Sequence, residues 1–521
     1  MVVFYLSPET WALLLFLLFL CGRYGYWPYG VFRKLGVPGP RPVPVFGTSL
    51  EYRKGFFNFD LECFRKYGKI WGFYDGRQPV MSIVDPAMIK TVLVKECYSF
   101  FTNRRDIGLN GPLYDAVSVA EDEDWRRIRA VLSPSFTSGR LKEMFGIVET
   151  NEFHYLCNCS YCIWFKSYVL RFFGAYSMDV VTSTAFSVDI DSLNNPKDPF
   201  VTNIKKMLKF DFLDPLFFII GLFPFMIPVL KTFGVSFFKK SVTDFFYAAL
   251  KKIKSERTTN PHKSRVDFLQ LMMDSQGREG NDTLKGQCIN LHTIPTGLSD
   301  HEILSQSMIF IFAGYETTSS TLSFLFYNLA TNPDVMKKLQ EEIDEVFPNK
   351  APVQYDALMK MEYLDSVLNE SLRLFPVAAR LERACKKTVE IHGVTIPKGM
   401  IVMVPTYVLH KDPDLWTDPE SFKPERFSKE NKESIDPYVY MPFGAGPRNC
   451  IGMRFALVVI KLAAVELLQR YSFVTCEETQ VPLELDFQGL LTPKKPVKLK
   501  MVPRDSKSSE NLYSNSHHVG S

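Results

Sequence analysis

Apolar positions are unevenly spread along this chain, and their spacing predicts a largely helical protein with small sheets. Met1 to Gly22 carries no charge except Glu9, and Trp11 to Cys21 is an unbroken apolar run. Such a run predicts a membrane anchor that stays in place, because Cys21-Gly22-Arg23-Tyr24-Gly25 lacks a small-residue cleavage site. It is short against the roughly 20 residues needed to span a bilayer, so the helix is expected to recruit Val2 to Leu6 and to tolerate Pro8. Arg23, Arg33, Lys34 and Arg41 follow and predict a body on the cytosolic side. Pro38-Gly39-Pro40-Arg41-Pro42-Val43-Pro44 then reads as a stiff extended linker.

Further along, Ile70 to Tyr74 and Pro79 to Val84 read as a strand pair turning at Asp75-Gly76. Glu121 to Asp124 followed by Arg126, Arg127 and Arg129 is an acidic first turn with cations behind it, which predicts a helix start. Phe210 to Phe238 is crowded with Phe, Leu and Ile but interrupted by Pro215, Pro224 and Pro228, so it predicts broken helical turns over a cavity, partly immersed in a bilayer surface. Asp274 to Thr296 is polar and loop-like. Ser299-Asp300-His301-Glu302 has the form of a capping box, and the nearly uniform apolar run to Asn332 predicts a helix buried on all sides. Thr388 to Pro405 alternates as strands around His392-Gly393, Met453 to Arg470 repeats as a helix, and Asp505 to Ser521 reads as a disordered tail.

Length alone, at 521 residues, suggests about three domains, yet no low-complexity linker interrupts the body, and one large helical domain around a cofactor fits better. A net charge of +4 argues against a nucleic-acid role. The ten cysteines lack the regular spacing of a secreted disulfide framework and predict reduced thiols. The 44 phenylalanines suit a large apolar pocket or a membrane-touching surface.

The chemistry concentrates in Phe443-Gly444-Ala445-Gly446-Pro447-Arg448-Asn449-Cys450-Ile451-Gly452. A thiol here sits at a helix N-terminus, where backbone N–H groups favour a thiolate or a metal-bound sulfur. Gly444 and Gly446 let the backbone approach a flat ligand, and Arg448 suits a ligand carboxylate. A second feature is the run Ala313 to Ser320 inside the long helix, where a glycine and hydroxyl residues are expected to open the ladder and leave a polar notch, with Glu316 suited to a proton path.

The pattern F-G-x-G-x-R-x-C-x-G resembles the haem-binding loop of cytochrome P-450 monooxygenases, in which the cysteine is the axial iron ligand. Glu370-Ser371-Leu372-Arg373 and Pro424-Glu425-Arg426-Phe427 match the family's E-x-x-R and P-E-R-F core. Ala313-Gly314-Tyr315-Glu316-Thr317 resembles its oxygen-activation groove. The resemblance runs from Pro38 to about Val502, and Met361 to Asp365 with Cys450 to Ala456 place it nearest vertebrate family three, subfamily A, the steroid and drug oxidisers. It implies a mainly α cytochrome P-450 fold, with a long central helix over haem, small β-sheets and an N-terminal transmembrane anchor helix.

The resemblance further implies haem b held by Cys450 as metal ligand, with Arg104, Trp125, Arg129, Arg383, Phe443 and Arg448 binding the cofactor. Thr317 would hydrogen-bond dioxygen, and Glu316 would help relay protons. Ser118, Phe210, Ile309, Phe312, Ala313 and Ala378 would line the substrate pocket, and Glu370, Arg373 and Arg426 would clamp the scaffold. One oxygen atom from O2 would enter a lipophilic substrate, steroid or xenobiotic. NADPH would supply electrons through NADPH-cytochrome P-450 reductase, docking near Arg126 and Arg127, with cytochrome b5 as a second partner. The implied location is the endoplasmic reticulum membrane, single-pass with the catalytic domain cytosolic. The corresponding division is 1–22 anchor, 23–44 basic and Pro-rich linker, 45–504 catalytic domain and 505–521 tail.

Glu152 to Phe173 departs from the family pattern, which carries a charged amphipathic helix there, and suggests an alternative transcript or a gene-model error. Cys157, Cys159 and Cys162 with His154 have the composition of a zinc site without a standard spacing. Residues 285–296 read as an insertion. Two alternatives to the monooxygenase stay open: a catalytically impaired membrane-anchored haem binder, and a haem-thiolate isomerase, which should lack the acid-threonine pair.

Overall fold

A computed structural model describes residues 7–149, 169–208, 215–259, 267–276, 297–486 and 489–504. The first helix runs from Pro8 to Tyr26, with the Ser7 hydroxyl accepting from the Thr10 amide and proline in the first turn. The helix thus starts at Pro8 instead of running through it, because a proline needs no N–H partner in the first turn. Its length is recovered at the other end, past Gly22, and 19 residues at about 1.5 Å each give roughly 28 Å. Trp11, Leu15, Phe16, Leu18 and Phe19 are exposed along it.

The segment after the anchor is packed onto the body. Phe32 is buried against Tyr74, with ring centroids 5.0 Å apart. The Gly72 amide donates to the Pro38 carbonyl at 2.8 Å, and the Val45 amide to the Gly25 carbonyl at 3.2 Å. An extended proline segment leaves its carbonyls free for such use.

The strand pair Ile70–Asp75 and Gln78–Ile83 is antiparallel, with Ile70 opposite Ile83. It extends through strand Ile401–Val404, parallel to the second strand with Val80 opposite Ile401, to strand Leu381–Ala384, antiparallel with Arg383 opposite Val402. A small separate hairpin pairs Val389–Ile391 with Val394–Ile396, as the alternation around His392 predicted.

The central helix spans Asp300–Thr331 and carries the expected capping box between Ser299 and Glu302. From Ile303 onward it is buried on nearly every face, against helix Val169–Phe186 on one side and helix Met453–Arg470 on another. Burial on all sides explains the absence of an amphipathic stripe. Residues Pro215 to Thr232 form the expected broken turns, Pro215–Leu222, Pro224–Met226 and Ile227–Thr232, each beginning at or next to a proline.

Glu370 is the centre of the scaffold clamp. It takes a bidentate pair from Arg373 at 2.8 Å on both oxygens, a bond from Arg426 Nε at 3.2 Å and the Lys423 amide at 2.9 Å. Arg373 also donates to the His410 carbonyl at 2.7 Å. Both members of the main pair are fully buried, which such a charge tolerates only with this many partners.

Candidate active site

The cysteine loop is built by turns that glycine permits. The Cys450 amide donates to the Phe443 carbonyl at 2.9 Å and the Asn449 amide to the Gly446 carbonyl at 3.1 Å. Gly446 has φ +75°, and a Cβ there would meet the Leu93 carbonyl oxygen at 2.0 Å, so this loop lies directly on the chain around Leu93. Helix Met453–Arg470 starts three residues after the thiol. Burial pushes the Cys450 thiol up, while the Gly452 amide, Arg129 and Arg104 pull the other way. The amide at the helix N-terminus thus favours the anion while burial opposes it. A bound metal ion would favour this sulfur as an anion.

Cys450 and Arg104 are exposed although surrounding protein shifts the ionisation of both, and Ala313 is exposed midway along a buried helix. Accessible surface on residues that the fold otherwise surrounds indicates open space inside the protein beside the cysteine loop. Around it stand four arginines with no ion pair to a carboxylate among the described residues. Arg129, on helix Asp122–Leu132, donates to the carbonyl and side-chain oxygens of Asn449, both at 2.9 Å. Arg448 donates to the carbonyls of Thr102 and Ala120, both at 2.6 Å. Arg104 reaches the Arg448 carbonyl at 3.5 Å, and Arg383, on the sheet's edge strand, donates to the Glu382 carbonyl at 2.8 Å.

Burial holds Arg383 down at about 10 and Arg448 at about 9, with Arg104 repelling both. Arg383 Nε, Arg448 Nε and Trp125 Nε1 are buried without a hydrogen-bond partner among the described residues. A desolvated cationic cluster with orphaned donors fits a ligand that brings anions, and the two propionates of haem do so. One thiol and no other metal-ligating cluster among the described residues fits iron with sulfur as axial ligand.

Opposite the loop, the Thr317 hydroxyl donates to the Ala313 carbonyl at 2.7 Å. The helix nevertheless continues unbroken through Gly314, so the expected opening of the ladder does not occur. Gly314 serves close packing: a Cβ would meet Val181 Cγ2 at 2.6 Å. Ser177, on the same neighbouring helix, donates to the carbonyls of Gly314 and Tyr315 at 2.9 and 3.0 Å. Burial raises the Glu316 carboxyl, and burial with Glu316 beside it raises Tyr315 to about 12.

Of the substrate-pocket candidates, Ile309 is buried, while Phe312, Ser118 and Ala378 are half-buried. The Phe312 ring lies 6.3 Å from that of Phe238, edge to face. The Ala378 carbonyl accepts the Thr406 hydroxyl at 2.6 Å. Phe210, the cysteine-rich segment with its zinc candidates and the insertion at 285–296 lie outside the described residues. Arg127, near which docking is expected, is bound to Glu302 of the central helix and to the Gly297 carbonyl at 3.1 Å. Arg126 pairs with Glu123 at 2.7 Å over the Tyr98 ring. Asn449 of the loop motif holds Arg129, a contact that no motif along the sequence assigns. Its place in a glycine-rich turn was the available signal.

A family model described as Cytochrome P450 matches residues 37–501. The chain is 67% identical over 504 residues to cytochrome P450 3A30 of Fundulus heteroclitus, covering 96% of this chain and 99% of that one. It is 66% identical to cytochrome P450 3A27 of Oncorhynchus mykiss over 507 residues, 96% of each chain. It is 58% identical to cytochrome P450 3A12 of Canis lupus familiaris over 505 residues, 96% and 97%.

Proposed function

The chain belongs to the cytochrome P450 family, in subfamily 3A, and from that premise we propose how its own residues divide the work of a haem-dependent monooxygenase. Haem, when bound, supplies the oxygen chemistry: one atom of O2 enters the substrate, the other leaves as water, and NADPH provides the two electrons. Steroids and xenobiotics are the substrate class. Cys450 is the iron ligand. Arg104, Arg129, Arg383 and Arg448, with the Trp125 N–H, would bind the propionates, and Phe443, which opens the loop, would be a further cofactor contact.

Glu316 and Thr317 handle protons. The Thr317 hydroxyl donates to the Ala313 carbonyl, which leaves its oxygen free to accept; passing a proton on then requires that bond to be exchanged. The Glu316 carboxyl, raised by burial, is closer to a proton donor at neutral pH than a surface glutamate. Ile309, Phe312, Ala313, Ser118 and Ala378 keep the chamber dry and orient the substrate. The described acid-threonine pair speaks against the isomerase reading.

The anchor and the broken turns form one apolar surface. Tyr24 donates to the Leu222 carbonyl at 2.7 Å and stacks on Phe223 at 6.1 Å, while Phe225 and Phe233 are 61% and 80% exposed. An apolar helix of spanning length joined to such a patch supports a single-pass protein of the endoplasmic reticulum, lying against the membrane with its catalytic domain cytosolic. NADPH-cytochrome P-450 reductase and cytochrome b5 are the proposed electron donors. Of the two arginines near the proposed docking side, Arg126 is the more exposed and Arg127 is paired with Glu302.

The observation that carries this reading is the meeting of Cys450 with four arginines that make no carboxylate ion pair among the described residues. Its test is the carbon monoxide difference spectrum of the reduced protein, followed by NADPH-dependent steroid turnover with added reductase. We expect a thiolate spectrum, its loss in Cys450→Ala, and turnover. A thiolate spectrum without turnover would favour an impaired haem binder, and rearrangement without NADPH an isomerase.

A further inference from the structure

Between the short turn Gly111–Leu113 and helix Asp122–Leu132 the chain crosses the N-terminal third of the central helix. Three side chains hold it there. Gln306 is fully buried, its Oε1 accepting the Val117 amide at 2.7 Å and its Nε2 donating to the Asp115 carbonyl at 2.8 Å. His301 Nδ1 meets Asp115 Oδ2 at 2.6 Å. The His301 ring stacks on Tyr114 at 5.0 Å and lies 5.7 Å from Tyr247 of helix Lys240–Thr259.

The contact is one-sided in a telling way. Gln306 grips main-chain groups, so it fixes the path of the loop whatever its side chains are. The His301–Asp115 pair is at the rim, with 36% of the histidine and 13% of the aspartate side chain exposed. Asp115 Oδ1 and the Tyr247 hydroxyl are buried beside it without hydrogen-bond partners among the described residues. A grip that leaves two orphaned polar atoms is held by few bonds and can let go at modest cost.

Gln306, Ile309, Ala313 and Thr317 are spaced three, four and four residues apart and so lie on one stripe of the helix. The clamp is therefore on the face that looks into the cavity, and Ser118 directly follows the clamped Val117. We propose that Asp115, His301 and Gln306 form a latch that sets where Ser118 stands over the chamber. They are positioning residues that determine which substrates fit and which carbon is presented. This rests on the reading of the cavity as the substrate chamber.

The test uses the haem-loaded full chain. His301→Phe keeps the ring stack on Tyr114 and removes the bond to Asp115; Asp115→Ala removes the other half. Each should raise amide hydrogen exchange at residues 114–118 by about tenfold, the scale of one lost net hydrogen bond. Each should change KM and the product ratio for a large steroid while leaving the thiolate spectrum intact, and the double variant should be no worse than either single. His301→Gln, which retains a donor, should restore part of the protection. Unchanged exchange and product ratio, or single effects that simply add, would overturn the latch. So would loss of the thiolate spectrum in both singles, since the pair would then belong to the scaffold. Failure of wild-type turnover would sink the functional reading alone, because the exchange measurement still reads the latch.

Discussion

The Arg448 guanidinium lies 5.0 Å from the centroid of the Trp125 indole, and each residue has one buried nitrogen without a hydrogen-bond partner among the described residues. The ring face lowers the cost of burying the cation, and the two orphaned donors await an anion. Arg448→Gln should therefore weaken haem retention by about 10- to 100-fold, the scale of one charge-assisted hydrogen bond. Trp125→Phe keeps the ring but loses the N–H and should cost less, about tenfold. Haem transfer to an apo-globin acceptor measures both; equal retention in wild type and Arg448→Gln would remove Arg448 from the cofactor site.

Thr317 spends its hydroxyl proton on the Ala313 carbonyl, 2.7 Å away, and so keeps its oxygen turned outward. Thr317→Ala should leave the thiolate spectrum unchanged and divert reducing equivalents from product to peroxide. Thr317→Ser should behave nearer to wild type. Peroxide yield per NADPH consumed is the readout, and full coupling in Thr317→Ala would count against the proton role.

Gly314 stands where a Cβ would come within 2.6 Å of Val181 Cγ2. Gly314→Ala gains helix propensity of up to about 1 kcal/mol but overpacks by about 1–3 kcal/mol, so net destabilisation is expected. Gly314→Ala with Val181→Ala should recover most of the loss. Thermal melting of the three variants decides whether this glycine is there for packing.

His410 is fully buried, accepts the Met441 amide on Nε2 at 3.0 Å, and is held down to about 3 by burial, with Arg373 repelling its charged form. Nδ1 must then carry the proton. The folded state stays neutral at this site while the unfolded histidine protonates below about 6.5, so the unfolded chain binds more protons between about 6.5 and about 3. Stability should fall as pH drops through that window, with a slope from this residue of at most about 1.4 kcal/mol per pH unit. His410→Asn should be less stable at neutral pH and show a shallower acid slope in denaturant melts. An unchanged slope would mean that the site protonates in the folded state.

Much of the site was readable because local rules and family spacing agree there. The capping box at Ser299, the Met453–Arg470 helix and the strand pair around Gly76 follow from residues that are neighbours in sequence. Other features depend on distant partners. The role of Gly314 depends on Val181 being packed against it, and that of Arg127 on Glu302 lying across from it. The grip of Gln306 on Val117 joins residues 189 apart, and no pattern along the chain marks it.

Sequence by itself determined the reactive centre: a cysteine in a glycine turn ahead of a helix, an acid-threonine pair inside an apolar run, and arginines whose spacing matched a known haem family. Only the tertiary structure decided that those arginines meet without a carboxylate ion pair among the described residues, that the basic segment after the anchor packs on the sheet, and which side chains clamp the loop bearing Ser118. The physical reason is range. Caps, turns and helix periods are set within a few residues, whereas desolvation and charge pairing depend on what folding brings alongside.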